Sequence, residues 1–203
     1  MRKPKVPIPD NPVLPDRPEW RAVFGRVPTE LHLEIGSGKG GFALAYAAQY
    51  PACDFVAMEW REKFANWTRA IGAKRGLANL LVLHADARLE VPRLFAEATL
   101  DVIHLQFPDP WWKRRHQKRR VIEESFTLLL LSRLKPGGLL DVRTDVQHRG
   151  EDMRARLEVA GFVNEAGLGC FSDRPEGELP STREKRYLAA AEPVYRLRMR
   201  RPA

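Results

Sequence analysis

Leu31-His32-Leu33-Glu34-Ile35-Gly36-Ser37-Gly38-Lys39-Gly40-Gly41-Phe42 is the stretch that decides the fold. A short apolar run of strand composition enters closely spaced glycines, and a helical stretch, Gly41–Tyr50, follows. Glycine tolerates the positive φ of a tight turn and lets a ligand approach the backbone, so the unit reads as strand, binding loop and helix. A Walker A phosphate loop is excluded, because Leu33 and Gly40 stand where its first glycine and its Ser or Thr belong. Gly36-x-Gly38-x-x-Gly41 satisfies the dinucleotide fingerprint, a weak match by itself. Glu34 shifts the balance, since a carboxylate two residues before the first glycine repels a pyrophosphate and attracts an ammonium group.

Outward from this loop, β-rich runs alternate with segments of helical length, which predicts a mostly parallel, doubly wound sheet covered on both faces. Strands are expected at 31–35, 54–59, 79–84, 101–106 and 139–144. Helices are expected at 41–50, 61–75, roughly 91–98, 116–134, where Lys135-Pro136-Gly137-Gly138 stops the last, and 147–160. Residues 162–171 and 193–200 are two further strand candidates, separated by a polar loop and a short helix at 182–190. Upstream, Pro4, Pro7, Pro9, Pro12, Pro15 and Pro18 block helix and central strand, so an extended arm precedes the fold. Residues 1–28 are taken as a Pro-rich extension and 29–203 as the folded domain. With no backbone ladder to join, the arm is expected to be dispensable for ligand binding.

In open α/β sheets ligands sit beyond the carboxyl ends of the strands. Glu59 ends the second strand, where nucleoside binders place an acid for the ribose hydroxyls, and Asp86 follows the third, where an acid can accept from an adenine amino group. Three acids after three successive strands favour an adenosine-containing cofactor without phosphates. The pattern Glu34-x-Gly36-x-Gly38-x-Gly40 resembles the first motif of S-adenosylmethionine-dependent methyltransferases of the Rossmann-like class I fold. The resemblance implies S-adenosyl-L-methionine as cofactor, S-adenosyl-L-homocysteine as product, and Glu34, Gly36, Gly38, Gly40, Glu59, Asp86 and Asp109 around it.

The fourth strand runs into Phe107-Pro108-Asp109-Pro110-Trp111-Trp112, and two prolines there stiffen the backbone around one carboxylate. Lys113, Arg114, Arg115, His116, Lys118, Arg119 and Arg120 follow. Phe-Pro-Asp-Pro-Trp with this basic run is similar to the hallmark of the tRNA (guanine-N7)-methyltransferases of the TrmB type, and the resemblance covers about residues 31–200. It implies methyl transfer to N7 of a guanosine in the tRNA variable loop, conventionally position 46. Asp109 is then the central catalytic residue, either accepting from the guanine edge or lying near the sulfonium. Lys113 contacts substrate, and Arg114, Arg115, His116, Lys118, Arg119 and Arg120 meet the RNA backbone. Thr144-Asp145 matches the family's Thr-Asp, whose acid contacts substrate; alternatively, Asp145 caps the following helix.

The family also carries Thr-x-x-Glu before a Pro-Val-Tyr-Arg-like strand. Here Ser181-Thr182-Arg183-Glu184-Lys185 precedes Pro193-Val194-Tyr195-Arg196. Counting back from Pro193 puts Glu184 at the family glutamate, whereas counting forward from Thr182 puts Lys185 there. Thr182, Arg183, Glu184 and Lys185 are therefore all substrate-binding candidates.

Composition agrees with these readings. Lys and Arg number 34 against 26 Asp and Glu, a surplus of +8 that favours a polyanionic partner. The longest aliphatic run, Leu128–Leu131, is far short of a bilayer span. Met1-Arg2-Lys3 leads into prolines, so no secretory signal is expected. Cys53 and Cys170 lack metal-ligand spacing and suit a reducing cytoplasm, with no metal expected. His32, His84 and His104 are expected to be packed or hydrogen-bonded, and Trp20, Trp60 and Trp67 to pack. The expected partner is tRNA, with no membrane, and the chain acts as a monomer or homodimer. Two alternatives remain: a non-catalytic RNA-binding protein on this fold, and an NAD-linked oxidoreductase, which leaves Glu34 and the 107–111 loop without a purpose.

Overall fold

The computed structural model describes residues 7–27, 29–108 and 123–203. Its elements run α1 (Trp20–Phe24), β1 (Glu30–Ile35), α2 (Gly41–Gln49), β2 (Cys53–Glu59), α3 (Glu62–Lys74), β3 (Leu80–His84), α4 (Ala87–Leu94) and β4 (Leu100–Gln106). They continue with α5 (Glu124–Arg133), β5 (Leu134–Thr144), α6 (Gln147–Val159), β6 (Val163–Asn164), α7 (Thr182–Ala189) and β7 (Tyr195–Arg200). The seven strands form a mostly parallel α/β sheet in which β7 alone is reversed. Contacts divide the chain into a unit of residues 1–96 and a unit of residues 97–203.

In the first unit β3, β2 and β1 pair in parallel, with Glu59 opposite His84 and Glu34 opposite Ala57. Every residue of β2 is buried, the signature of a strand covered on both faces. Leu33, Phe55, Val56, Met58 and Val82 form its core. Trp20 stacks on Phe95 with ring centroids 4.8 Å apart, which seats α1 as the packing expectation requires. Trp60 departs from that expectation. It is 56% exposed, because it follows the last residue of β2 and sits outside the sheet. Helix α4 starts four residues earlier than expected, since Asp86 takes the N-cap and accepts the Arg88 N–H at 3.0 Å.

Among its described residues the arm makes no strand pairing, in line with its prolines, yet side chains tie it down. Asn11 Oδ1 accepts the His84 N–H at 2.8 Å, while its amide group donates to the His84 carbonyl at 3.4 Å. One side chain thus pairs with both backbone groups at the end of edge strand β3. Arg69 donates to Asn11 Oδ1 at 2.6 Å and to the Pro9 carbonyl at 3.2 Å. Arg93 donates to the Leu14 carbonyl at 2.8 Å, and its own carbonyl accepts the Arg17 N–H at 2.9 Å.

In the second unit β4 and β5 are parallel, β5 and β7 antiparallel, and β6 pairs on the far side of β7. Leu105, Leu130, Leu140, Val142, Leu197 and Met199 are buried. The segment Lys135-Pro136-Gly137-Gly138 ends α5, as expected, and also belongs to β5, where the register shifts between Leu100 and Val102. Gly137 takes φ +74°, and its N–H bonds the Arg201 carbonyl at 3.0 Å. The strand expected at 162–171 shrinks to Val163–Asn164 with an isolated bridge from Ser172 to Arg196, because Gly167 and Gly169 turn the chain at φ +93° and +77°. The first part of the helix expected at 116–134 lies outside the described residues.

Candidate active site

The loop after β1 is shaped by its partners as much as by its glycines. Gly36, Gly38 and Gly40 all have positive φ, at +78°, +56° and +69°. Their roles differ, however. A Cβ on Gly40 would fall 2.2 Å from Thr68 Cγ2, so this glycine lets α3 close on the turn. A Cβ on Gly36 or Gly38 would meet nothing within 4 Å, so these two leave open space along the backbone. The N–H groups of Gly36 and Ser37 both donate to the Met58 carbonyl, at 2.9 and 3.0 Å, fastening the loop to β2.

Three of the four acids expected to surround a cofactor, Glu34, Glu59 and Asp86, belong to this unit. Glu34 is buried at 2% exposure in β1. Glu59 is buried, and each of its oxygens accepts a backbone N–H, from Gly38 at 2.7 Å and from Arg61 at 2.9 Å. The carboxylate therefore holds the glycine loop open, and its remaining lone pairs are what it can offer a ribose. Asp86 is exposed at the start of α4, with one oxygen engaged as cap. His84 Nε2 meets the Trp60 carbonyl at 3.1 Å, joining the ends of β2 and β3. Open backbone at Gly36 and Gly38 beside buried acids fits S-adenosylmethionine: an ammonium and ribose hydroxyls need acceptors, and no phosphate is present to be repelled.

The residues expected to meet substrate lie in the second unit. Asp145 follows β5 directly without capping α6; Val146 is the N-cap, and its N–H donates to Thr144 Oγ1 at 3.2 Å. Asp145 Oδ2 instead accepts from the Tyr187 hydroxyl and from Arg183 Nη2 at 2.7 Å. Burial pushes the Asp145 carboxyl up, but these two donors outweigh it and hold it below the usual aspartate range. Thr182, Arg183 and Lys185 are exposed on the first turn of α7.

Glu184 is fully buried. It accepts from Arg143 Nη1 at 2.6 Å, pairs with Arg196 and receives the Ser181 N–H at 3.4 Å. Ser181 Oγ in turn accepts the Glu184 N–H at 3.1 Å, completing a capping box. The capping box thus pairs Ser181 with Glu184, one of the two positions weighed for the family glutamate. Ser-x-x-Glu before a helix was the legible signal for this. Arg143 also reaches Asp141 at 2.9 Å and Glu178 at 2.8 Å. Burial pushes Asp141 up, yet the His104 ring and Arg143 bring it well below the ordinary carboxylate range.

Sequence reasoning missed Tyr187 and the Phe107 geometry. Phe107 is buried at φ +50°, and its N–H donates to the Arg143 carbonyl at 2.7 Å. Its ring stacks on Tyr187 at 5.9 Å and 13°. Asp109, Lys113, Arg114, Arg115, His116, Lys118, Arg119 and Arg120 lie outside the described residues. Among the described residues one cluster has metal-ligand chemistry, Glu30, His32 and Cys53. It sits at the starts of β1 and β2, away from the glycine loop, and His32 Nε2 lies 3.0 Å from Glu30 Oε2. His32 and His104 are buried as expected. No helix among the described residues is long and apolar enough to cross a membrane.

A mostly parallel sheet, an open glycine loop and an acid at or near the end of each of the first three strands define a class I S-adenosylmethionine-dependent methyltransferase fold. The aminoglycoside resistance methyltransferase NpmB1 shares it at a TM-score of 0.65 and 20% identity, over 93% of this chain and 94% of that one. The family model described as "Putative methyltransferase" matches residues 28–197. The tRNA (guanine-N(7)-)-methyltransferase of Myxococcus xanthus (strain DK1622) is 55% identical over 92% of this chain and 90% of its own length. That of Anaeromyxobacter dehalogenans (strain 2CP-C) is 53% identical over 94% and 95%. The chain belongs to the tRNA (guanine-N7-)-methyltransferase family.

Proposed function

We infer that this protein methylates N7 of a guanosine in tRNA, at position 46 of the variable loop, in the cytoplasm, as a monomer or homodimer and without a metal. The family relationship carries this reading, and the acid-tied loop supports it. When bound, S-adenosylmethionine supplies an electrophilic methyl on a sulfonium centre and leaves as S-adenosylhomocysteine.

Glu34 pairs with the cofactor ammonium, Glu59 accepts from ribose while keeping Gly38 in place, and Asp86 accepts from the adenine amino group. Guanine N7 has a lone pair and no proton, so attack needs neither a general base nor a Lewis acid; alignment and exclusion of water do the work. Asp109 accepts from guanine N1–H and the exocyclic amine together, which holds the base with N7 facing the methyl. Lys113 and Asp145 contact the substrate. Of the α7 candidates, Thr182, Arg183 and Lys185 are on the surface and can face RNA, while Glu184 acts from inside by fixing the helix. Extracting the base costs roughly a few kcal/mol, which phosphate contacts from Arg114 to Arg120 offset.

The test is methylation of unmodified tRNA, with nucleoside mass spectrometry and borohydride/aniline cleavage at the modified site. Asp109→Ala is expected to abolish transfer while S-adenosylhomocysteine still binds. A methyl on an exocyclic amine or on ribose, or normal turnover by Asp109→Ala, would overturn the assignment.

A further inference from the structure

We propose that Tyr187 and Arg183 are positioning residues for methyl transfer: they clamp Phe107, the left-handed residue that follows β4 and stands two places before Asp109 in the sequence. The inference rests on the reading above that Asp109 holds the base.

Phe107 is where the backbone departs from its local preference. A following proline disfavours the right-handed helical region for the residue before it and favours the extended one, yet Phe107 is left-handed at φ +50°. The left-handed one is strained for an aromatic residue and persists only where surroundings over-determine it. Here they do. The Phe107 N–H is bonded to the Arg143 carbonyl at 2.7 Å. The Tyr187 ring lies nearly parallel to the Phe107 ring, and the Arg183 guanidinium carbon is 5.2 Å from the Phe107 ring centroid. Tyr187 and Arg183 are themselves fixed, since both donate to Oδ2 of Asp145.

The clamp closes on itself. The same Arg143 whose carbonyl holds Phe107 holds Glu184 through its side chain, and Glu184 anchors the first turn of α7, the helix that carries Arg183 and Tyr187. A helix far along the chain therefore fixes the backbone at Phe107, where it leaves β4, two residues before Asp109 in the sequence. Tyr187 also joins this ring stack to Asp145, so two residues assigned to the substrate share one support. Because reaction depends steeply on alignment, loosening Phe107 should reduce the rate of the bound complex and leave the cofactor site of residues 34–86 unaffected.

The experiment compares wild type with Tyr187→Ala, Tyr187→Phe and Phe107→Gly. It measures single-turnover methylation at saturating tRNA and S-adenosylmethionine, S-adenosylhomocysteine affinity by calorimetry, and thermal unfolding. Wild-type methylation at N7 tests the proposed function; only the variant-to-wild-type ratios test the clamp. Tyr187→Ala is expected to slow the single-turnover step by about ten-fold or more, with cofactor affinity within about two-fold of wild type. Tyr187→Phe keeps the ring and should recover most of the loss. Phe107→Gly should slow the step similarly, and combining it with Tyr187→Ala should add little, as expected of two residues acting through one contact. Should Tyr187→Ala not fold, Tyr187→Leu, which fills space without a planar ring, is read in its place. An unchanged rate, an equal loss of rate and cofactor affinity, or a Tyr187→Phe variant as slow as Tyr187→Ala would overturn the clamp.

Discussion

Glu59 Oε2 accepts the backbone N–H of Gly38 at 2.7 Å, across the turn that the first three glycines make. An acid at the end of β2 thus builds the loop after β1 before it meets any ligand. Its other oxygen accepts the Arg61 N–H, so the carboxylate spans from the loop to the start of α3. Glu59→Ala is expected to weaken S-adenosylhomocysteine binding by about 1.5–3 kcal/mol, because ribose hydroxyls and Gly38 lose an acceptor together. Glu59→Gln, whose amide nitrogen cannot accept, should fall between Ala and wild type. Isothermal titration decides this, and unchanged affinity in the Ala variant would show that Glu59 serves the loop alone.

The arm gives a prediction opposite in spirit to its composition. With Asn11 bonded to both backbone groups of His84, and Arg93 bonded to the Leu14 carbonyl, deleting residues 1–18 removes at least three tertiary hydrogen bonds and takes from Arg69 its partners Asn11 and Pro9. The loss is expected to be about 2–4 kcal/mol of stability at roughly 1 kcal/mol per bond. Since His84 precedes Asp86 by two residues, cofactor affinity should weaken as well. Denaturant unfolding and calorimetry of the truncated chain measure both effects; an unchanged unfolding midpoint would mean that the arm is only laid against the fold.

Asp145 supplies a prediction about pH. Its folded-state pKa is lowered, so the stabilisation it provides is fully present above the unfolded value, about 3.9, and disappears as pH falls through the lower folded value. Asp145→Asn should therefore destabilise by the same amount between about pH 6 and 8, with the gap to wild type closing only under acid conditions. Attack by N7 requires no proton transfer, so the single-turnover rate should also be flat across that window. A rate that rises with an apparent pKa near 7 and loses that dependence in Asp145→Asn would contradict both statements.

Docking of tRNA should depend steeply on salt. Each phosphate contact contributes about 0.7 to 0.9 to the slope of log K against log salt. Converting Arg114, Arg115, Lys118, Arg119 and Arg120 to Gln is expected to reduce that slope by up to this amount per true contact, with some of the five contributing nothing. Lys113, close to Asp109 in sequence, should affect turnover too. An unchanged slope in the five-site variant would remove the docking role of the segment.

What the sequence by itself determined here is whatever depends on neighbours along the chain. The glycine turn at 36–40, the strands ending at Glu59, His84 and Thr144, and the helix stop at Lys135-Pro136 are all local matters of period, turn chemistry and propensity. The long 107–120 pattern identified the family for the same reason, and family membership bears it out. The Ser181–Glu184 capping box was equally local and was legible as Ser-x-x-Glu. Only the tertiary structure decided which of the conspicuous side chains are engaged by the protein itself. Glu184 looks like a substrate residue in the sequence and is buried against Arg143 and Arg196; Asp145 reads there as a substrate contact or, alternatively, a helix cap, and it is bound to Tyr187 and Arg183 without capping α6. Asn11, in an arm without a ladder, completes the edge of β3. In each case the partner lies a dozen or more residues away. Pairing then depends on strand register and helix placement, and a buried polar group takes whichever complementary group the packed chain brings within hydrogen-bond reach.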